Sequence, residues 1–312
     1  MKNNILIIGS TGFIGKNLLE SFLIDSNNIA LLVRDSSKVS VNFRDNIAVK
    51  IIETDLKNMT LIKQIIETNS IDIVIHLSSS LIPSSSKDDF ENEMNEIILP
   101  TYSLLEYLSE KKIKIIFFSS GGTIYGKVQE NTINEDNPLR PINYYGYSKL
   151  MIENYIQFLN RTKNLSYLIL RPSNVYGKYQ KIESKQGFIS VSIGKVLSGK
   201  PIEIWGDGET IRDYINVQDV AILTKKLIDM NINNEIINLG SGIGISLNNI
   251  VNLLQKNIDK KFEIEYKNSR SVDVDKMVLD ITKLKSYINY EFKNIEDGIS
   301  EFIGYIRCEN EK

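Results

Sequence analysis

The apolar run Ile5-Leu6-Ile7-Ile8 passes directly into Gly9-Ser10-Thr11-Gly12-Phe13-Ile14-Gly15, and this junction limits the fold more than any other stretch of the chain. A buried strand followed at once by three spaced glycines predicts a tight strand-to-helix turn. In such a turn, backbone N–H groups and the positive end of the helix face an anion. The glycines supply dihedral freedom, close approach of a pyrophosphate and close packing of helix on strand. Gly9, Gly12, Phe13, Ile14 and Gly15 are therefore expected to bind a dinucleotide. The competing reading is a plain connection, and the spacing G-x-x-G-x-x-G departs from the commoner G-x-G-x-x-G.

Short β-rich runs alternate with helical stretches through the first two thirds of the chain. Strands are expected at Ile5–Ile8, Ile29–Val33, Val49–Ile52, Ile71–Leu77, Ile113–Ser119 and Leu165–Leu170, and helices at Ile14–Leu23, Leu61–Glu67, Phe90–Ser109 and Tyr144–Asn160. Runs such as Ile71-Asp72-Ile73-Val74-Ile75 suit strands covered on both faces. The expected class is α/β, a doubly wound parallel sheet of the Rossmann type. Residues 1–170 would form the dinucleotide-binding domain, with 217–240 returning to it through a helix at Val217–Met230 and a strand at Ile236–Leu239. Residues 171–216 and 241–312, with short elements separated by Gly, Ser and Asn, would form a smaller interleaved cap that takes the substrate. A helix near Ile189–Leu197 and a turn at Gly206-Asp207-Gly208 belong to that cap.

Far from the glycine turn stands Tyr145-Gly146-Tyr147-Ser148-Lys149, which puts a phenol and an ammonium one helical turn apart on one face. A phenol with a pKa of about 10 is a poor acid–base group at neutral pH unless a nearby cation favours its phenolate. Lys149 supplies that cation and can also hold the nicotinamide ribose, so both residues are expected to be catalytic and to touch the coenzyme. Tyr144 and Tyr147 beside them are packing or substrate-lining residues.

The second strand ends at Leu32-Val33-Arg34-Asp35. Arg34 would pair with a 2′-phosphate and favour NADP, whereas a one-residue shift would present Asp35 to the free ribose and favour NAD. A solvated charge pair is the bland alternative. Asp55 and Leu56 follow the next strand, where they border the adenine or simply form a turn. His76, the only histidine, is read as a neutral hydrogen-bonded core residue rather than a base. Leu77, Ser78 and Ser79 are expected to approach the nicotinamide side.

Taken together, these residues resemble the extended short-chain dehydrogenase/reductase superfamily, and within it the nucleotide-sugar epimerases, dehydratases and reductases. The resemblance runs over nearly the whole length and includes Ser119-Ser120-Gly121-Gly122-Thr123-Ile124-Tyr125-Gly126, Arg171-Pro172-Ser173-Asn174-Val175-Tyr176-Gly177 and Trp205-Gly206-Asp207-Gly208-Glu209-Thr210-Ile211-Arg212-Asp213-Tyr214. It implies that Pro172 borders the coenzyme, that Asn174, Arg212 and Arg270 contact the diphosphate of a sugar nucleotide, and that two chains form a homodimer through two helices each. An Arg212–Asp213 ion pair is the competing structural reading. The family usually carries Ser or Thr four residues before the tyrosine of its Val-Tyr-Gly segment, where this chain has Gly121. Thr123 is the favoured replacement for contact with the reacting sugar oxygen, with Ser120 as the other choice. Gly122-Thr123 stands where the dehydratase branch has an acidic pair, which argues against dehydration.

A net charge of −2 gives no basic excess for a nucleic acid or an anionic membrane. No apolar stretch approaches a membrane span, Cys308 is the only cysteine, and a metal site is not expected from one histidine and one cysteine. With no leader-like stretch at Met1–Asn4, the expected location is the cytoplasm. The leading expectation is reduction of a 4-keto sugar nucleotide by NADPH, with Tyr145 donating the proton. The alternatives are a 4-epimerase holding NAD and a catalytically silent NAD(P)-binding sensor or scaffold.

Overall fold

A computed structural model describes residues 3–24, 28–128, 130–184, 186–269 and 274–310. Its strands are β1 (Asn4–Ile8), β2 (Asn28–Val33), β3 (Val49–Glu53), β4 (Ile73–His76), β5 (Lys114–Phe118), β6 (Tyr167–Pro172), β7 (Asn174–Tyr176), β8 (Ile202–Trp205), β9 (Ile211–Asn216), β10 (Glu235–Leu239), β11 (Gly244–Ser246), β12 (Ile264–Lys267) and β13 (Lys276–Met277).

Seven of them form one sheet in the order β10-β6-β5-β4-β1-β2-β3, every pair parallel. This is the doubly wound Rossmann arrangement expected from the sequence. Both faces are covered, which is why β1, β2, β4 and β5 read as unbroken apolar runs. On one face Leu6, Val74 and Ile115 pack with Ile62, Ile98 and Leu104. On the other, Ile5, Ile7 and Ile75 pack with Leu18, Phe22 and Leu223. Helix Phe13–Leu23 lies beside helix Val217–Asp229, and the latter feeds β10 back to the sheet edge beside β6.

The helix expected over Phe90–Ser109 is present and unbroken, with one turn of it widened. It runs as an α-helix over Lys87–Glu93, widens into a π turn over Met94–Ile98 and resumes over Leu99–Lys111. Pro100 has no N–H to give Glu96 and its ring would strike that carbonyl, so the turn opens and Leu99 N–H reaches back to Met94 O.

The remaining strands lie in the C-terminal half. β11, β9 and β13 form a small sheet in which β7 also pairs with β9, and β12 pairs with β8. Tyr176, Ile193, Ile204, Ile250, Leu254 and Phe302 form a separate core there. Because the large sheet is all parallel, the loops after β1, β2, β3, β4, β5 and β6 emerge at one edge. In an open α/β sheet that edge is where ligands bind.

Candidate active site

Gly9 leaves β1 with φ +91°, a conformation that favours glycine, and a β-carbon there would lie 3.0 Å from Ser78 N. At Gly15 a β-carbon would lie 2.5 Å from Gly9 O, so helix Phe13–Leu23 is seated directly on the turn. That helix starts at Gly12 with no side-chain cap and no acid in its first turn. Elsewhere, Asn58, Ser86, Asn143, Asn216 and Ser246 each cap the helix that follows them. The first-turn N–H groups near Phe13 and Ile14 are thus left for an anion. Ser10 Oγ and Ser119 Oγ, both buried, have no partner among the described residues. An unfilled hydroxyl next to the positive-φ Gly9, with free first-turn N–H groups beside it, fits a dinucleotide pyrophosphate.

At the end of β2, Asp35 is committed locally. Its carboxylate accepts from Ser37 N at 3.0 Å and Ser37 Oγ at 2.5 Å, and Lys38 lies 3.5 Å away. The Ser37 hydrogen bonds hold its pKa below the usual value. Arg34 is exposed and has no hydrogen-bond or ion-pair partner among the described residues. An Arg34–Asp35 pair is therefore not what this strand end makes. Asp55 accepts from Lys57 N at 2.7 Å as a turn residue, and Leu56 is buried in the core.

Past β4, Leu77 continues the ladder to Ile8 O, and Ser78 closes on Gly9. Ser79 Oγ donates to Glu93 Oε1 at 2.8 Å, and Ser80 N donates to Glu93 Oε2 at 2.8 Å. Sequence reasoning missed this buried Glu93, and no local pattern marks it. His76 is fully buried, its Nε2 lies 2.9 Å from Thr101 Oγ1, and burial with Lys149 nearby pushes its pKa down to about 3. It is neutral and does not reach the cleft as a base.

Asn143 caps helix Tyr144–Lys163 by accepting from Gly146 N at 2.8 Å. The first turn of that helix then lies against the loop after β5, bringing Tyr145 beside Ser120 and Thr123. Thr123 Oγ1 donates to Ser120 Oγ at 2.9 Å, and a Ser120–Tyr145 side-chain hydrogen bond continues the chain of hydroxyls. Burial raises the Tyr145 pKa to about 12 against the Ser120 hydrogen bond, which lowers it. Lys149 is only 3% exposed, and its Nζ lies 5.0 Å from the Phe117 ring centroid and 5.7 Å from that of Tyr145. Desolvation lowers its pKa to about 8. No hydrogen-bond acceptor meets that ammonium among the described residues.

Gly121 has a structural cause. A β-carbon there would sit 2.8 Å from Arg171 O and 2.6 Å from Leu279 Cδ1. No serine or threonine fits, so the hydroxyls available beside Tyr145 are those of Ser120 and Thr123. Beneath them Arg171 is clamped to Glu153 by bonds of 3.1 and 2.7 Å, and its other nitrogen meets Tyr125 Oη at 2.9 Å.

Pro172 ends β6 with its carbonyl accepting Gly121 N–H at 2.8 Å. Asn174 on β7 donates to Asp213 O on β9 at 2.9 Å. The Asp213 carboxylate is taken by Ser173 Oγ, Ser241 N and Oγ, Gly242 N and Leu279 N. Neighbouring strand residues face opposite sides, and Arg212, half-buried, donates to Ile211 O at 2.9 Å. Arg270 lies outside the described residues.

Residues 5–240 match the family described as NAD dependent epimerase/dehydratase. The chain is 31% identical over 316 residues to the dTDP-4-dehydro-6-deoxyglucose reductase of Escherichia coli, covering 98% of each. It is 30% identical over 309 residues to the putative UDP-glucose 4-epimerase of Methanocaldococcus jannaschii, covering 98% of this chain and 99% of that one. Among solved structures, the UDP-glucose 4-epimerase of Thermotoga maritima with UDP-glucose superposes with a TM-score of 0.90 at 30% identity, covering 98% and 99%. No helix among the described residues is long and apolar enough to cross a membrane. The glycine turn, the uncapped helix and the Tyr145–Lys149 pair, carried on this fold, belong to an enzyme of the NAD dependent epimerase/dehydratase family.

Proposed function

We propose that the protein reduces the C4 ketone of a nucleotide-diphosphate sugar with NADPH. The observation that carries this reading is the division of labour after β2, where Asp35 is used up as a local cap and Arg34 is exposed without a partner. A guanidinium there pairs with a 2′-phosphate, while the acid that would meet a free ribose already accepts from Ser37.

Gly9, Gly12, Gly15 and the first-turn N–H groups at Phe13 and Ile14 would hold the pyrophosphate, with Asp55 and Leu56 toward the adenine. Leu77, Ser78, Ser79 and Pro172 would border the nicotinamide half. The bound coenzyme supplies a hydride. Tyr145 gives its proton to the sugar O4 as C4 is reduced, so the C=O bond becomes CH–OH. The Lys149 ammonium favours the phenolate left behind and offers donors to the nicotinamide ribose. Ser120 and Thr123 hold the reacting oxygen and pass the replacement proton along their hydroxyls. Asn174, Arg212 and Arg270 are assigned to the substrate diphosphate.

Two copies are inferred to pair through the helices of 87–111 and 144–163, which expose Leu99, Tyr144, Tyr147 and Phe158. The reaction is assigned to the cytoplasm, where an exposed lone Cys308 stays reduced. The second reading, 4-epimerization with retained NAD, is favoured by the epimerases among the relatives. A panel of sugar nucleotides and 4-keto derivatives against NADPH and NADH decides between them. Coenzyme consumption with a keto substrate supports the reductase. Interconversion of C4 epimers without consumption supports the epimerase. Turnover abolished by Tyr145→Phe eliminates the silent sensor.

A further inference from the structure

Glu93 is 1% exposed, yet its carboxylate faces no cation within ion-pairing distance among the described residues. Its partners are the Ser79 hydroxyl at 2.8 Å, the Ser80 N–H at 2.8 Å and the Ser80 hydroxyl at 2.5 Å. Ser79 Oγ in turn accepts Leu81 N–H at 3.2 Å, so one carboxylate fixes the backbone of the loop that leaves β4. Glu93 is the last residue before the π turn of Met94–Ile98. A buried charge is costly unless something uses it.

We propose that Glu93 is a positioning residue, whose carboxylate clamps the Ser79–Ser80 loop at the nicotinamide end of the cleft. The proposal rests on the functional reading above, since it concerns the same cleft. Three hydrogen bonds from two consecutive residues converge on this one buried side chain, so the loop cannot shift without breaking them.

Two variants, read without turnover, test this. Ser80→Ala keeps the carboxylate but removes one strut of the clamp, and its affinity for NADPH by fluorescence titration is expected to fall about tenfold. Glu93→Gln keeps one acceptor oxygen for the Ser80 N–H but loses the other, and is expected to weaken NADPH binding by a similar factor with an unchanged circular dichroism spectrum. Unchanged affinity in either variant overturns the clamp. A protein that binds NADPH but reduces no sugar nucleotide would defeat the functional reading while the affinities still decide the role of Glu93.

Discussion

Gly146 lies against the carbonyl of Thr123, so close that a β-carbon on it would stand 2.6 Å from that oxygen. This approach sets Tyr145 beside the hydroxyls of Ser120 and Thr123. Gly146→Ala must push the helix off the loop. An ångström of misplacement costs roughly 100-fold in rate, so kcat is expected to fall by about that factor, with a lower melting temperature from the overpacked contact. Gly304→Ala is the control, since nothing lies within 4 Å of that position, and it should leave the rate unchanged. Equal rates for the two variants would remove the close approach from the account.

Lys149 has its pKa lowered to about 8 by desolvation, so it is an ammonium below that pH and an amine above it. The Tyr145 phenol, at about 12, stays protonated throughout. Rate in the reducing direction should be level below about pH 8 and decline above it. A pH–rate profile of kcat/KM that instead climbs from 7 to 9 would mean that the phenolate, acting as a base, is the working form.

Much of this was legible locally. The Gly9–Gly15 turn, the apolar strands and the Tyr145/Lys149 spacing are patterns within a few residues, and each reflects one physical demand. The helix across Pro100 was legible from its apolar pattern, but its π turn was not, because that pattern carries no trace of the proline's missing N–H. Thr123 was favoured over Ser120 in place of the usual hydroxyl, but the reason for Gly121 itself was not legible, because its constraint comes from Leu279 and Arg171, far away in the chain. Glu93 was silent for the same reason, its partners being 13 and 14 residues distant across a loop. The strands β7, β11 and β13, of two or three residues each, are too short to show a period of their own.

Arg171 and Glu153 are almost wholly buried, and the pair ties β6 to the helix that carries Tyr145 and Lys149. Arg171→Met leaves the Glu153 carboxylate without its cation. Breaking such a pair costs about 3–5 kcal/mol, which urea denaturation will read as a lower midpoint. A loss below about 1 kcal/mol would place the pair with ordinary surface bridges.

Arg34→Glu puts a carboxylate where a 2′-phosphate is expected. The ratio of kcat/KM with NADPH to that with NADH should drop by about 10- to 100-fold, chiefly through KM for NADPH. No change in that ratio would detach Arg34 from coenzyme choice.

The most direct test of the central claim follows one hydrogen. The protein is incubated with the 4-keto sugar nucleotide that the panel identifies and NADPH carrying deuterium at the transferable C4 position, with Tyr145→Phe in parallel. The account predicts one deuterium at C4 of the product for each NADPH consumed, and a rate lower by roughly 100- to 10,000-fold in Tyr145→Phe. Absence of deuterium from the sugar while C4 epimers of an unoxidised sugar nucleotide interconvert, or equal rates in the two proteins, would contradict it.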